Sequence, residues 1–263
     1  IQPKDKLYWL FYEKLKHTHS KPQRIKILCN MERCRWRLKD YPYMHDKYVL
    51  VNIPSFRLRA VDSKKDLEMR IGCGSFDTKT PLLTSAIMRM DINPQWIVPR
   101  SIIKKSIIPH LGNRSYFESH NFFVRERSTG KKISFDKVTS EMLNSSDYLV
   151  VQTGGIGNSL GRIIFRFNNS FSVFIHDTNQ HGVFSQEDRG VSHGCIRVQK
   201  PFSLAMFMLK DKNEDIISKI RYSMVAQIGG ESTVMYDEKH EGSSKLKTDT
   251  LNHSRIINNI NVN

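Results

Sequence analysis

A cysteine stands between glycine and a β-branched residue in the run Ser192-His193-Gly194-Cys195-Ile196-Arg197, and a second histidine, His176, precedes it by nineteen positions. These residue types can perform acyl transfer. The thiolate is the nucleophile, and a free thiol with pKa about 8.5 is only a few per cent ionised at pH 7. A neighbouring imidazole can take that proton and remain as a charge partner. Gly194 has no Cβ, so its N–H can come close to a substrate carbonyl, as an oxyanion hole requires. The spacing also leaves two other readings open. His176, His193 and Cys195 could hold zinc, although the C-x-x-C pair common in zinc sites is absent. Cys195 could equally be a small buried hydrophobe.

Nineteen positions are too many for one helix turn and suit two neighbouring strands joined by a loop. Phe171-Ser172-Val173-Phe174-Ile175 is aromatic and β-branched and predicts a strand ending at His176. The segment from Asp177 to Gly190 is polar, contains Gly182 and Gly190, and reads as a loop. Cys195-Ile196-Arg197-Val198 reads as the start of a short strand, and Pro201 opens a helix over 202–207. His176 then lies at a strand end and Cys195 at a loop-to-strand junction, a usual setting for reactive groups.

The segment from His176 through Ser192-His193-Gly194-Cys195-Ile196-Arg197 resembles the signature of the L,D-transpeptidase (YkuD-like) catalytic domain. Further segments are similar to the large periplasmic branch of that family. They are Asn30-Met31-Glu32-Arg33 with Trp36, residues 48–58, residues 93–102, and Gly157-Asn158-Ser159-Leu160-Gly161-Arg162 followed by Phe174-Ile175-His176-Asp177-Thr178. The resemblance covers roughly residues 21 to 225. It implies an α+β fold: a mostly-β catalytic domain with N-terminal helices and an inserted lid.

The resemblance also implies a reaction. Cys195 would attack the carbonyl of the third residue of a peptidoglycan stem peptide, release the terminal D-residue and form a thioester. An acceptor stem amine would then give a third-to-third cross-link. His176 would be the base, and the Asp177 backbone carbonyl would orient it in place of a triad carboxylate. Backbone N–H groups of His193, Gly194 and Cys195 would form the oxyanion hole, with His193 also lining the pocket. Ser192, Phe174, Trp96 and Arg197 are candidates for the substrate groove. Arg197 either binds a substrate carboxylate or pairs with an acidic residue to hold the loop, the second being favoured. Phe174 stands where some relatives carry tyrosine, which removes a hydroxyl from the donor side. No cofactor and no metal is expected. Stem peptides are the expected partners, β-lactams of the carbapenem type the expected covalent inhibitors, and the chain is expected to be monomeric. Two rivals share parts of this reading: an L,D-carboxypeptidase or cross-link hydrolase using the same cysteine, and an inactive wall-binding module.

The rest of the chain bounds these expectations. With 263 residues it can bury a substantial core. The net charge of +15 and pI near 9.7 suit a polyanionic partner, and the basic residues are scattered with no nucleic-acid motif, so carboxylate-bearing wall is expected rather than nucleic acid. No apolar run reaches the roughly 20 residues of a membrane span. The chain opens at Ile1-Gln2-Pro3 without a signal peptide, whereas a wall enzyme acts in the periplasm or cell envelope. It is therefore read as a piece of a longer exported protein, with a wall-binding module upstream and further strands downstream. Four cysteines do not make a disulfide framework at this length. Cys29, with Ile25, Leu28 and Trp36, is expected to mark a buried helix face, and Cys73 to be a packed strand cysteine.

Five segments are expected: a helical scaffold remnant over 1–40, a first catalytic part over 45–108, an inserted lid over 109–153, a second catalytic part with the active site over 154–227, and a polar, poorly ordered tail over 228–263. Within them, helices are expected over 4–17, 22–38, 101–108 and 213–227, and strands over 47–54, 56–62, 67–73, 84–92 and 162–167. The lid segment is expected to be polar with short helical stretches such as 136–144, and Gly154-Gly155-Ile156-Gly157 to be its hinge.

Overall fold

Two helices open the chain in the computed structural model, which describes residues 6–35, 45–62, 65–209, 217–218, 233–237 and 255–258. In α1 (Lys6–Lys16) the stripe Tyr8, Phe11 and Leu15 follows helical spacing and packs against Ile27, Met31 and Cys34 from α2 (Lys21–Arg33) and its C-cap. The buried face of α2 is thus Ile27, Asn30 and Met31. Ile25, Leu28 and Cys29 are exposed, which corrects the expectation that Cys29 marks the core. The cause is rotational: Ile27 and Met31 are one turn apart and meet α1, so Ile25 and Leu28 fall on the far side. Trp36 lies outside the described residues.

Period-two burial then builds the main sheet. The strands β1 (Lys47–Asn52), β2 (Arg57–Asp62), β3 (Lys65–Gly74) and β4 (Thr84–Ile92) fall where alternation places them. Val49 and Val51, Leu58 and Ala60, and Met69, Ile71 and Cys73 all point inward. The turn between β1 and β2 holds Phe56 at φ 51°, and Arg189 covers its ring.

A second, four-stranded sheet follows, made of β5 (Trp96–Ile97), β6 (Phe122–Glu126), β7 (Lys132–Ile133) and β8 (Tyr148–Gln152) in the order β5-β8-β6-β7. Three short helices pack on it: α3 (Arg100–Ile102), which continues as a π turn and a 3₁₀ turn to His110, α4 (Arg114–Ser119) and α5 (Ser140–Asn144). Asn113 and Thr139 cap α4 and α5 through their side chains. Val98, Ile103, Ile107, Phe117, Val124, Leu143 and Val150 give this sheet its own core, which therefore begins ahead of residue 109. The helix over 101–108 is present; the strands within 109–153 are not legible in the sequence, because charged residues at 125–127 and 131–132 hide the alternation.

The chain returns to the main sheet through β9 (Ile163–Phe167), β10 (Ile175–His176), β11 (Gly190–Ser192) and β12 (Ile196–Val198), then enters α6 (Pro201–Met208). The strand before His176 is shorter than expected. Asn169 is the reason: its Oδ1 accepts from the N–H groups of Phe171 and Val173, its Nδ2 donates to the Phe167 and Val173 carbonyls, and Ser172 takes φ 55°. Two tail segments, β13 (Thr233–Asp237) and β14 (Arg255–Asn258), pair with β4, and β14 also pairs with β1. Both lie within the tail expected over 228–263, the rest of which is outside the described residues. Of the helix expected over 213–227, all but 217–218 lies outside the described residues.

The sheet runs β11-β3-β12-β10-β9-β4-β14-β1-β2, and β2 pairs β3 again, so it curls closed around one core. Phe165, Ile175 and Ile196 fill its middle, and α6 adds Leu204, Ala205 and Met208. Burial of the phenylalanine, isoleucine, leucine and methionine side chains, each contributing roughly 1.5–3 kcal/mol, holds β9, β10 and β12 in register. No helix among the described residues is long and apolar enough to cross a membrane.

Candidate active site

The site is laid out by one short parallel pair. β10 pairs β12 with Ile175 opposite Ile196 and His176 opposite Arg197, and the Ile196 N–H donates to the Phe174 carbonyl at 3.0 Å. Ile175 and Ile196 face the core, so alternation puts Phe174, His176, Cys195 and Arg197 on the other face. The rings of Phe174 and His176 stand edge to face at 6.0 Å, and Arg166 lies over Phe174 at 5.4 Å.

His176 is 4% exposed. Its Nδ1 faces the backbone carbonyl of Asp177, an acceptor, so Nδ1 carries the hydrogen in the neutral ring. Burial and the nearby Arg197 guanidinium push its pKa down to about 4, against the hydrogen bonds to the Asp177 and Leu160 carbonyls. The ring is therefore neutral at pH 7. Cys195 is half-buried, and burial pushes its thiol up; a backbone hydrogen bond from Phe174 and the charges of Arg197 and Arg166 offset this only in part. At rest Cys195 is thus a thiol and His176 a neutral imidazole.

The turn that presents Cys195 is locked from within. Ser192 is buried, its Oγ donates to the Cys195 carbonyl at 2.5 Å, and it accepts the Gly194 N–H at 3.1 Å. Two expectations change here. The Ser192 hydroxyl is consumed inside the turn rather than facing a substrate, and the Gly194 N–H is engaged rather than free for an oxyanion. The N–H groups of His193 and Cys195 have no hydrogen-bond partner among the described residues. Gly194 itself sits at φ 113°, and a Cβ there would come within 3.2 Å of Val173. The His193 side chain is exposed.

Arg197 pairs with no acidic residue among the described residues; its Nη1 donates to Gln180 Oε1 at 2.7 Å, tying the loop after His176 to β12. Its Nε is buried without a partner. Trp96 lies in β5, half-buried and packed against the core of the second sheet.

Asp177 turns its side chain away from its carbonyl. Its Oδ2 accepts the Arg162 N–H at 2.9 Å, and burial raises its carboxyl above the usual range. Gly161, at φ 63°, makes this possible: a Cβ there would lie 2.4 Å from the Asp177 side chain. Segments distant in sequence meet at this point. Asn158 donates to the Pro94, Gln152 and Thr153 carbonyls and accepts from Leu160, while the Asn93 N–H donates to the Arg162 carbonyl. Asn179 reaches the Gly157 carbonyl. A cavity of about 430 Å³ opens beyond Asp177, lined by Gly161, Arg162, Thr178, Lys200 and Phe202, and neither Cys195 nor His176 reaches it. Among the described residues no three His, Cys, Asp or Glu side chains form a group that could hold a metal ion.

Residues 46–216, more than half of the chain, match the L,D-transpeptidase catalytic domain family, YkuD. The chain belongs to that family. It is also 30% identical over 178 residues to a Haemophilus influenzae protein whose name as an L,D-transpeptidase is itself provisional. That match covers 66% of this chain and 36% of the relative, so the chain spans about a third of that protein's length. Among solved structures, an L,D-transpeptidase from Mycobacterium smegmatis is 14% identical with a TM-score of 0.37, covering 82% of this chain and 59% of that one. L,D-transpeptidase 3 from Mycobacterium tuberculosis is 9% identical with a TM-score of 0.32, covering 59% and 53%. The transpeptidase LdtMt1 in complex with imipenem is 18% identical with a TM-score of 0.33, covering 62% and 53%. At these scores the solved structures add nothing to the assignment, which rests on the family match and a mostly-β curled sheet with helices.

One group of residues beside the cysteine turn is not apparent from the sequence: Ser75, Thr78 and Thr80. Hydroxyls at these positions, just after the last residue of β3, look like any polar loop in the sequence.

Proposed function

We propose that this domain is a peptidoglycan L,D-transpeptidase with Cys195 as nucleophile and His176 as general base. The observation that carries this reading is the buried, neutral His176, held by the Asp177 carbonyl on the same sheet face as Cys195. Nε2 of His176 takes the thiol proton as Sγ bonds to the carbonyl carbon of the third stem residue. The tetrahedral oxyanion accepts from the free His193 and Cys195 N–H groups. Collapse breaks the C–N bond, and the His176 proton passes to the departing amine of the D-residue. The thioester is then attacked by an acceptor amine whose proton passes to His176, and the thiol is regenerated as the cross-link forms.

A thiol above its ordinary range needs this proton transfer to be concerted with attack, because little thiolate exists beforehand. Arg197 acts on the base through its charge and on the loop through Gln180. The segment 109–153 serves as a lid, with Gly154-Gly155-Ile156-Gly157 as the hinge that Asn179 and Gln152 tether. β-Lactams of the carbapenem type acylate Cys195, as suits a family with a member held in complex with imipenem. The site of action is the periplasm or cell envelope.

The test is incubation with purified tetrapeptide muropeptides. Cross-linked dimers with release of the terminal D-residue are the expected products. Tripeptide alone would replace transfer by carboxypeptidase action. Unchanged substrate, with no β-lactam adduct, would leave only a wall-binding module.

A further inference from the structure

The turn that carries Cys195 is anchored from outside by a single hydroxyl-rich strap, residues 75–80. The Ser192 carbonyl accepts from Thr78 Oγ1 at 2.8 Å and from the Ser75 N–H at 3.0 Å. The Gly194 carbonyl accepts from Thr80 Oγ1, also at 2.8 Å. Thr80 is buried, and its Oγ1 accepts in turn from the Gly74 N–H at 2.8 Å. Ser75 and Thr78 join hydroxyls at 2.8 Å. The strap lies hard against the end of β3: a Cβ on Gly74 would fall 2.1 Å from the Thr78 carbonyl oxygen, so only glycine admits it.

The two anchored carbonyls belong to two particular peptide planes. The Ser192 carbonyl shares its plane with the His193 N–H, and the Gly194 carbonyl shares its plane with the Cys195 N–H. These are the two unpartnered N–H groups of the turn. A trans peptide is planar with N–H and C=O pointing in opposite directions, and no cis bond occurs among the described residues. Pinning each carbonyl to the strap therefore aims each N–H away from it. The third N–H of the turn, from Gly194, is held by Ser192 Oγ.

We infer that Thr78 and Thr80 are positioning residues that fix an oxyanion hole of two donors, the His193 and Cys195 N–H groups. The inference rests on the acyl-transfer reading above. The hydroxyls touch neither the thiol nor the substrate; they act by setting the orientation of two peptide planes before the reaction, when reorienting a dipole would otherwise add to the barrier. Thr80 is the sole anchor of the Gly194 carbonyl among the described residues, whereas Thr78 shares the Ser192 carbonyl with the Ser75 N–H. Loss of Thr80 is therefore expected to matter more.

The test separates two reactions of the same cysteine. Acylation by imipenem builds an oxyanion; alkylation by iodoacetamide displaces iodide and builds none. Removing one oxyanion donor outright slows such reactions on the order of 10²–10³-fold, so a misaimed donor in Thr80→Val should slow acylation by about 10- to 100-fold. Alkylation should stay within about twofold, and Thr80→Ser, which keeps the hydroxyl, should restore acylation. Thr78→Val should fall in the same direction by a few-fold, and it stands in if Thr80→Val fails to fold. Acylation at the wild-type rate in the valine variants would overturn the inference. So would acylation and alkylation slowing by one common factor, which would mean the whole turn had collapsed. A wild-type protein that forms no imipenem adduct while alkylating normally would overturn the proposed function instead, and this inference with it.

Discussion

Keeping His176 neutral and buried has a cost in acid that can be measured. The ring titrates near 4 in the folded chain and near 6.5 when unfolded. Between those values the unfolded chain binds a proton that the folded chain refuses, so stability falls as pH drops through this window. One pKa unit corresponds to about 1.4 kcal/mol, and integrating the two titrations from pH 7 to pH 4.5 gives a loss of about 2 kcal/mol from this residue alone. Carboxylates also protonate over that range, so the comparison must be made against a variant without the ring. His176→Asn keeps a side-chain donor toward the Asp177 carbonyl and cannot titrate. Urea unfolding of both proteins at about pH 7 and about pH 4.5, with ΔG taken from midpoint and slope, gives the difference of differences. The wild type should lose about 2 kcal/mol more than His176→Asn. Equal losses in the two proteins would refute the claim that His176 is buried neutral, and with it the account of how the base is kept ready.

Three further outcomes follow from the same geometry. Arg197→Met removes a charge that lowers the His176 pKa, so the His176 ring resonance in a pH titration by NMR should move to a higher midpoint than in the wild type. Iodoacetamide alkylation of Cys195 should rise through pH 8 and above without a plateau near neutrality, because burial raises the thiol and the His176 imidazole carries no charge; an early plateau would show an ion pair. Gly161→Ala forces a Cβ to within 2.4 Å of Asp177 at a φ of 63°. Thermal unfolding should show a loss of at least about 1–3 kcal/mol, and acylation should slow because the Asp177 carbonyl no longer meets Nδ1 squarely.

The elements that place the site were largely readable from residue pattern. β4 falls on its expected residues, α6 opens at Pro201, and β12 follows Cys195 directly, because apolar alternation and proline at a first helical turn act locally. That β10 and β12 are neighbouring strands joined by a loop follows from the nineteen-position spacing; that they pair in parallel does not, and comes from the structure. What pattern could not supply is contact between distant segments. The burial of Ile27 and Met31 rather than Leu28 and Cys29 depends on where α1 docks, which no periodicity within α2 reveals. The shortening of the strand before His176 depends on Asn169, whose amide folds back on its own loop. Ser192 reads as a groove residue in the sequence, yet its hydroxyl closes the turn it begins. The strap is the furthest from legible: Thr78 and Thr80 lie over a hundred positions from Gly194, and only the closed sheet brings them together.

The central claim is that Cys195 is the nucleophile and His176 its base, and intact-mass spectrometry after incubation with imipenem tests it most directly. The wild-type chain should gain the full mass of one inhibitor, since opening the β-lactam ring leaves its amine attached. Cys195→Ala should gain nothing, and His176→Ala should gain the same adduct far more slowly. An adduct that persists on Cys195→Ala, or forms on His176→Ala at the wild-type rate, would contradict the account.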